Sequence, residues 1–409
     1  MAGSGGRKVY RNRSHAKKQR AKKIASFFVA IIGIAVLVFV GYSVAKPIFN
    51  FINSEDSIVD DSSEPWTPPV SEDVESENSG ETSAATETTY ESESDTTMSI
   101  SVNSEYFTAY SLPEDSLDNP VTLNQYLSQA KSDGYNAAMI TMKAEGGKIY
   151  YKTSSEFAAT DESAVSGMMP VQQIISLIKA SDLKAIASIN LLEDNNRYGE
   201  NRDGSYHNAD GTTWLDNAAS NGGKPWLSPF DEDTKEYIRY IADEIAAAGF
   251  DVIAAEGATF PNFRNSDLDY IGDEVRSETR YAALLDVVNI AKSASENQNS
   301  DFMLKISAED ILNGDAEVFK PQQLGDMTLI IDYSPAEIAN TVIYNNTEVV
   351  LSDLSAAEKV KTVFNIISEE AGENIVIIPM ISHSEINQAD YNEVIEELIS
   401  EGYNSYIVK

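Results

Sequence analysis

From Glu105 to Lys409 the chain repeats one unit: a short apolar run with little polar alternation, then a segment with helical spacing. The runs are EYFTAY (Glu105–Tyr110), NAAMITM (Asn136–Met142), KAIASIN (Lys184–Asn190), DVIAAE (Asp251–Glu256), DFMLKISAE (Asp301–Glu309), MTLIID (Met327–Asp332), NIVIIPM (Asn374–Met380) and SYIVK (Ser405–Lys409). Strands that do not alternate are covered on both faces, as in a parallel sheet flanked by helices. Helical spacing is clear over 123–134, 171–181, 234–249, 279–294, 355–372 and 390–402, and weak at Pro335 to Asn340 after the sixth run. Eight such units predict an α/β fold, a (β/α)8 TIM-type barrel over residues 105–409. The rival, a doubly wound open sheet, carries a glycine-rich phosphate loop after its first strand; TAYSLPEDS has no glycine.

Ahead of the barrel the composition changes twice. Met1 to Lys23 holds nine Lys or Arg and no acid, and Ile24 to Ala45 is uncharged and apolar. About twenty apolar residues suffice to span a bilayer as a helix. Residues 1–23 then read as a basic cytoplasmic tail, 24–45 as one transmembrane helix, and the rest as lying outside the cell membrane. Cleavage as a signal peptide after Ser43-Val44-Ala45 is the alternative, with an apolar stretch that is long for that purpose. Residues 46–104 are rich in Ser, Thr and Glu and poor in aliphatics, and read as a disordered acidic linker. Glu105 to Lys409 holds fifty-one acids against twenty bases. That surface repels phosphate backbones, so nucleic acid is excluded as a partner, and neutral or cationic partners fit better.

In a barrel of this kind functional groups gather at the C-terminal ends of the strands. Those positions are Tyr110, Lys143 with Glu145, Asn190, Glu256, Glu309 with Asp310, Asp332 and His383. The segment 191–230 has no clear helix and contains Trp214, Trp226, Tyr198 and Tyr206. Loops of this length are functional or disordered as a rule. Its tryptophans either stack on the apolar faces of sugar rings or pin the loop to the barrel.

GFDVIAAEGATFP resembles the signature of a bacterial putative glycosyl hydrolase family with a (β/α)8 barrel, whose fourth strand typically ends Phe-Asp-Tyr-Val-Arg-Phe-Pro. TAYS, NAAMITMKAEGGKIYY, KAIASI and DGTTWLDNAASNGGKPWLSPF are similar in order and spacing, and ISAED and LIIDYSP less closely. The family's signature Asp is Glu256 here, and its Tyr and Arg are Gly257 and Thr259; Phe260-Pro261 remain. The second strand ends Thr141-Met142-Lys143 where the family has Asp-x-Lys. The Tyr-Pro-Ser-His segment is not recognisable in SPAEIANT, and Met380-Ile381-Ser382-His383 stands where the family has Trp-Leu-Gln-Asp. The resemblance implies a divergent member acting on, or binding, a glycan or polysaccharide of the envelope or exterior.

Glycoside hydrolysis uses two carboxyl groups flanking the scissile bond, one protonated and one ionised. Glu256 is the first candidate and Asp332, ending LIID much as Glu256 ends VIAAE, its partner; Glu145, Glu309 and Asp310 stand in reserve. Lys143, Glu145, Tyr110, Asn190, Trp214, Trp226 and His383 are the candidate substrate contacts. The alternative is a glycan-binding or envelope scaffold protein that has lost the reaction. No cysteine, no His-x-x-x-His pair, no Gly-x-Ser-x-Gly elbow and no Walker loop occurs, so neither a metal nor a cofactor is expected.

Overall fold

The computed structural model describes residues 106–154, 165, 167, 169–196, 204–276, 280–314 and 318–409. The basic tail, the candidate transmembrane helix, the acidic linker and Tyr198 lie outside the described residues. Among the described residues no helix is long and apolar enough to cross a membrane.

The elements in chain order are β1 (Thr108–Ser111), α1 (Pro120–Ser132), β2 (Ala137–Lys143), α2 (Val171–Ala180), β3 (Lys184–Asn190), α3 (Glu232–Ala247), β4 (Val252–Glu256), α4 (Asn265–Ile271), α5 (Arg280–Glu296), β5 (Asp301–Ser307), α6 (Ala308–Asn313), β6 (Met327–Tyr333), β7 (Thr341–Tyr344), β8 (Thr347–Val350), α7 (Ala356–Ala371), β9 (Ile375–Ile381), α8 (Gln388–Ser400) and β10 (Tyr406–Val408). Eight of the strands close in the order β1-β10-β9-β6-β5-β4-β3-β2, every pair parallel. The TIM-type barrel expected from the apolar runs is the fold.

The missing alternation now has its cause. Successive strand residues point to opposite faces. One set, with Ala109, Met139, Ile186, Val252, Ala254, Met303, Ile330, Met380 and Ile407, fills the barrel interior. The intervening residues, such as Ile253, Ala255, Leu304 and Ile331, pack outward under the helices. Both sets are apolar, so the sequence reads as a continuous run.

The helices supply the outer layer with one face each. On α3 the buried residues are Tyr237, Ile238, Ile241, Ala242 and Ile245, one stripe at three- and four-residue spacing. Asn119 caps α1 by accepting from the backbone N–H groups of Val121 and Thr122, ahead of Pro120 at the first helical position. Ser355 and Glu358 form a reciprocal capping box on α7.

After β6 the structure departs from the expected weak helix at 335–340. The chain makes an antiparallel hairpin, β7–β8, before α7. Asn345 and Asn346 both have left-handed φ, 49° and 60°, the backbone that a tight two-residue hairpin turn requires. The Asn-Asn pair in TVIYNNTEVV is the sequence signal for it.

Candidate functional site

Strand parity carries the interior set upward to the mouth. On β4 the inward residues run Val252, Ala254, then Glu256; on β6, Ile330 is followed by Asp332. On β5 the residue after Met303 in the same set is Lys305, and on the β10 edge Lys409 follows Ile407. These four side chains meet. The Lys305 ammonium is in direct contact with Glu256 Oε2 and 3.6 Å from Asp332 Oδ2. Lys409 Nζ lies 2.7 Å from Asp332 Oδ1 and 2.8 Å from its Oδ2. Ser188 on β3 donates to Glu256 Oε1 at 2.9 Å. Burial draws the Lys305 pKa down, and the negative charges of Glu256 and Asp332 outweigh it, so that the lysine stays charged above its ordinary range.

Glu256, Lys305 and Asp332 line a cavity of about 700 Å³, together with residues from the ends of β2 to β6 and the loop after β1. Among the described residues six carboxyl side chains line it (Glu114, Glu145, Glu193, Glu256, Asp310 and Asp332), with Lys305 as the one basic residue. Tyr150 closes one side: its hydroxyl donates to Glu114, and its ring faces the Lys148 ammonium at 4.5 Å. Burial, with Glu114 beside it, pushes the Tyr150 pKa up, so this phenol keeps its proton.

Glycine at 257 follows from the approach of β3 to β4. Leu191 N–H donates to the Glu256 carbonyl at 2.8 Å, so the pairing continues past the strand ends. A Cβ at Gly257, where φ is +67°, would lie 2.4 Å from Asn190 Oδ1. Asn190 is thereby free to bond Glu193 twice: its Nδ2 donates to Glu193 Oε2 at 3.1 Å, and its Oδ1 accepts from Glu193 N–H at 3.0 Å.

The sequence-derived candidates therefore separate. Glu256, Asp332, Glu145, Asn190 and the reserve Asp310 come together at the cavity. Lys143 does not, because the β2–β3 register shifts between Thr141 and Lys143. The shift sets Lys143 beside Ile189, which belongs to the outward set, and buries it. Its ammonium bonds Asp194 Oδ2 at 2.9 Å and the Asn190 carbonyl at 2.8 Å. Direct contact with a substrate hydroxyl is not open to it.

Trp214 is buried in an aromatic cluster with Tyr206 and Phe263, at centroid distances of 6.0 and 4.9 Å. Trp226 is half-buried, its Nε1 3.4 Å from Asp216. Neither lines the cavity, so the tryptophans hold the loop. Tyr110 packs on Tyr135 at 5.4 Å, and His383 on Tyr391 at 4.2 Å, both away from the cavity wall. Glu309 lies in the first turn of α6, also off that wall.

Lys305, Lys409, Glu193, Glu114 and Ser188 are among the participants that escaped the sequence reading. The first two lay inside runs read as strands, where parity with Met303 and Ile407 marks them as inward. Glu193 lies in irregular backbone and carries no such mark. Among the described residues no group of three or more His, Cys, Asp or Glu is arranged to hold a metal ion.

Residues 109–335 match the family described as "putative glycosyl hydrolase domain". No curated protein matches the chain. Among solved structures, the PgaB (BpsB) glycoside hydrolase domain from Bordetella bronchiseptica is similar at 12% identity, covering 74% of this chain and 93% of that one, with a TM-score of 0.48. The catalytic domain of β-amylase from Paenibacillus polymyxa is similar at 12% identity over 74% and 92%, with a TM-score of 0.44. A hypothetical protein from Ruminiclostridium thermocellum is similar at 17% identity over 48% and 96%, with a TM-score of 0.41. At such identities and TM-scores these likenesses say nothing of the reaction.

Proposed function

This chain belongs to the putative glycosyl hydrolase domain family, and we propose that its barrel mouth cleaves the glycosidic bonds of a cell-envelope or extracellular glycan through Glu256 and Asp332. The observation that carries the reading is the convergence of both carboxylates on one ammonium, Lys305, in the mouth cavity. Sharing one ammonium holds the nearest oxygens of the pair within about 6 Å of each other, close enough for both to flank a single glycosidic bond. The cavity volume falls in the usual range for small-ligand sites, about 300–1,000 Å³. Six carboxyls against one lysine among the described lining residues favour neutral or positively charged sugars over acidic ones.

The apolar stretch 24–45 and the basic residues before it support an anchored placement, N-terminus inside and barrel outside, with residues 46–104 as spacer. A second reading has one specific observation behind it. Lys409 adds a second cation on Asp332, a contact that this acid has to give up before it acts on a sugar, and a cleft that binds glycan without cutting it keeps that contact.

The test is reducing-end release and binding measured together, with the full chain against xylan, β-glucan, chitosan and peptidoglycan, and Glu256→Gln and Asp332→Asn alongside. Release that disappears in both variants supports the hydrolase. Binding without release, unchanged in both variants, sinks it in favour of the binding module.

A further inference from the structure

We propose that Glu193 is the proton donor of this site, the catalytic acid that protonates the leaving glycosidic oxygen while Glu256 acts as the ionised partner. The proposal rests on the hydrolase reading of the mouth and adds to it a residue that the paired-carboxylate scheme lacks. Glu256 and Asp332 each already have an ammonium in contact. A hydrolase also needs an acid that arrives protonated, and environment must set it apart from its ionised partner.

Glu193 has that environment. It lines the same cavity as Glu256, and among the described residues no cation stands within ion-pair distance of it. It is fixed by its two hydrogen bonds with Asn190, whose position depends on the missing side chain at Gly257. The groups facing it are Asn190 from β3, Glu145 and Lys143 from the β2 side, and Glu256 from β4. Burial is the largest influence and raises its pKa; the Asn190 hydrogen bond opposes this, the charges of Glu145 and Glu256 add to it, and Lys143 opposes weakly. The result is a carboxyl that keeps its proton to higher pH than an ordinary glutamate.

The step balances within the site. The C1–O bond breaks, its electron pair stays on the leaving oxygen, and that oxygen takes the Glu193 proton. C1 gains a bond to the oxygen of water, and the proton released from that water passes to Glu256. A second proton exchange with solvent restores both groups.

The test uses the full chain and two kinds of substrate: the polysaccharide that the wild type degrades, and the 2,4-dinitrophenyl glycoside of the sugar it releases, whose leaving group needs no proton. Glu193→Gln is expected to slow polysaccharide cleavage at least about 100-fold, the scale of general acid catalysis, while slowing the dinitrophenyl glycoside less than about tenfold. The basic limb of the wild-type pH profile disappears with it. Glu193→Asp, which keeps the proton but withdraws it, recovers part of the rate, and a thermal melt of each variant separates lost chemistry from lost folding. Full polysaccharide cleavage by Glu193→Gln, where Glu256→Gln is dead, overturns the assignment and leaves the hydrolase reading standing. Equal loss on both substrates by a folded variant also overturns it, because a proton donor is dispensable for the activated one. No cleavage by the wild type on any substrate overturns the hydrolase reading and this proposal together.

Discussion

Two lysine–carboxylate clusters sit at the strand ends of this barrel, one at β2 and β3 and the other at β4 to β6, and they serve opposite ends. In the first, the side chains of Lys143 and Asp194 are 2% and 0% exposed. Tyr237 donates to the same carboxylate at 3.2 Å, and glycine at 147 leaves room for it, since a Cβ there would lie 1.8 Å from Asp194 Oδ1. In the second, the side chains of Lys305, Glu256 and Asp332 are 21%, 18% and 14% exposed and line the cavity. Both are built from lysine and carboxylate, and their exposure differs. A charge pair sealed from water resists every change to either partner, whereas a pair on a wet wall can exchange partners with a ligand. The first cluster holds the 190–196 segment in place; the second is available for chemistry.

The strongest way to break this contrast is to remove one partner of the sealed pair. Lys143→Met leaves Asp194 as a buried charge without its cation and is expected to cost about 3–5 kcal/mol, the usual range for breaking such a pair. Urea unfolding reads the loss. A cost below that of an exposed pair would mean that water reaches the site, and the distinction between the clusters would fall.

Next comes the point where the two clusters touch. Asn190 gives its carbonyl to Lys143 and its side chain to Glu193, and Gly257 is what lets it fit. Gly257→Ala combines a left-handed φ with a collision against the Asn190 amide, and strain of this kind costs on the order of 1–3 kcal/mol. Displacement of Asn190 also releases Glu193, so glycan release is expected to fall more than stability alone explains. Melting temperature and rate, measured on the same preparation, separate the two effects.

The wet cluster responds more weakly in stability. Lys305→Met leaves Glu256 and Asp332 beside an open cavity, with Lys409 still on Asp332. With these side chains 14–21% exposed, the expected loss lies between that of an exposed and that of a buried pair, about 1–2 kcal/mol. Its larger effect belongs to function, through the pair of acids that no longer share a cation. A stability loss as large as that of Lys143→Met would show that this cluster, too, is structural.

How far the sequence reveals these differences depends on periodicity. The eight strands and most of the helices were legible because an apolar run, or a three-to-four residue stripe, is a local signal. Glu256 and Asp332 were legible because each ends such a run. Lys305 was not, although its parity with Met303 carried the information: a single charge within DFMLKIS reads as a tolerated blemish until the barrel interior is known. The error over Lys143 has a different origin. A register shift within β2 reverses the face of every residue after it, and nothing in ITMK announces the shift. Glu193 and the hairpin β7–β8 show the remaining limit. In irregular backbone a residue's neighbours are set by long-range packing, here the close approach of Asn190 to Gly257, and a short turn such as Asn345-Asn346 speaks only when its flanks are read as strands.

The smallest effect is also the one that tests the sealed cluster's influence on the wet one without any glycan. Glu193 has a raised pKa in the folded chain, chiefly through burial. Between its unfolded and folded values the native state binds more protons than the unfolded state, so stability falls as pH rises across that window. The penalty is absent below the ordinary carboxylate range and complete once pH exceeds the folded value. Glu193→Gln keeps the shape, and its amide has no proton to lose. The variant is therefore expected to match the wild type in acid and to become the more stable of the two as pH rises, the difference levelling off above the folded value. Unfolding midpoints taken at half-unit steps of pH give the curve directly. If the two proteins keep a constant offset at all pH values, the Asn190 clamp does not hold Glu193 away from water, and the contrast between a sealed support and a tuned acid above it is lost.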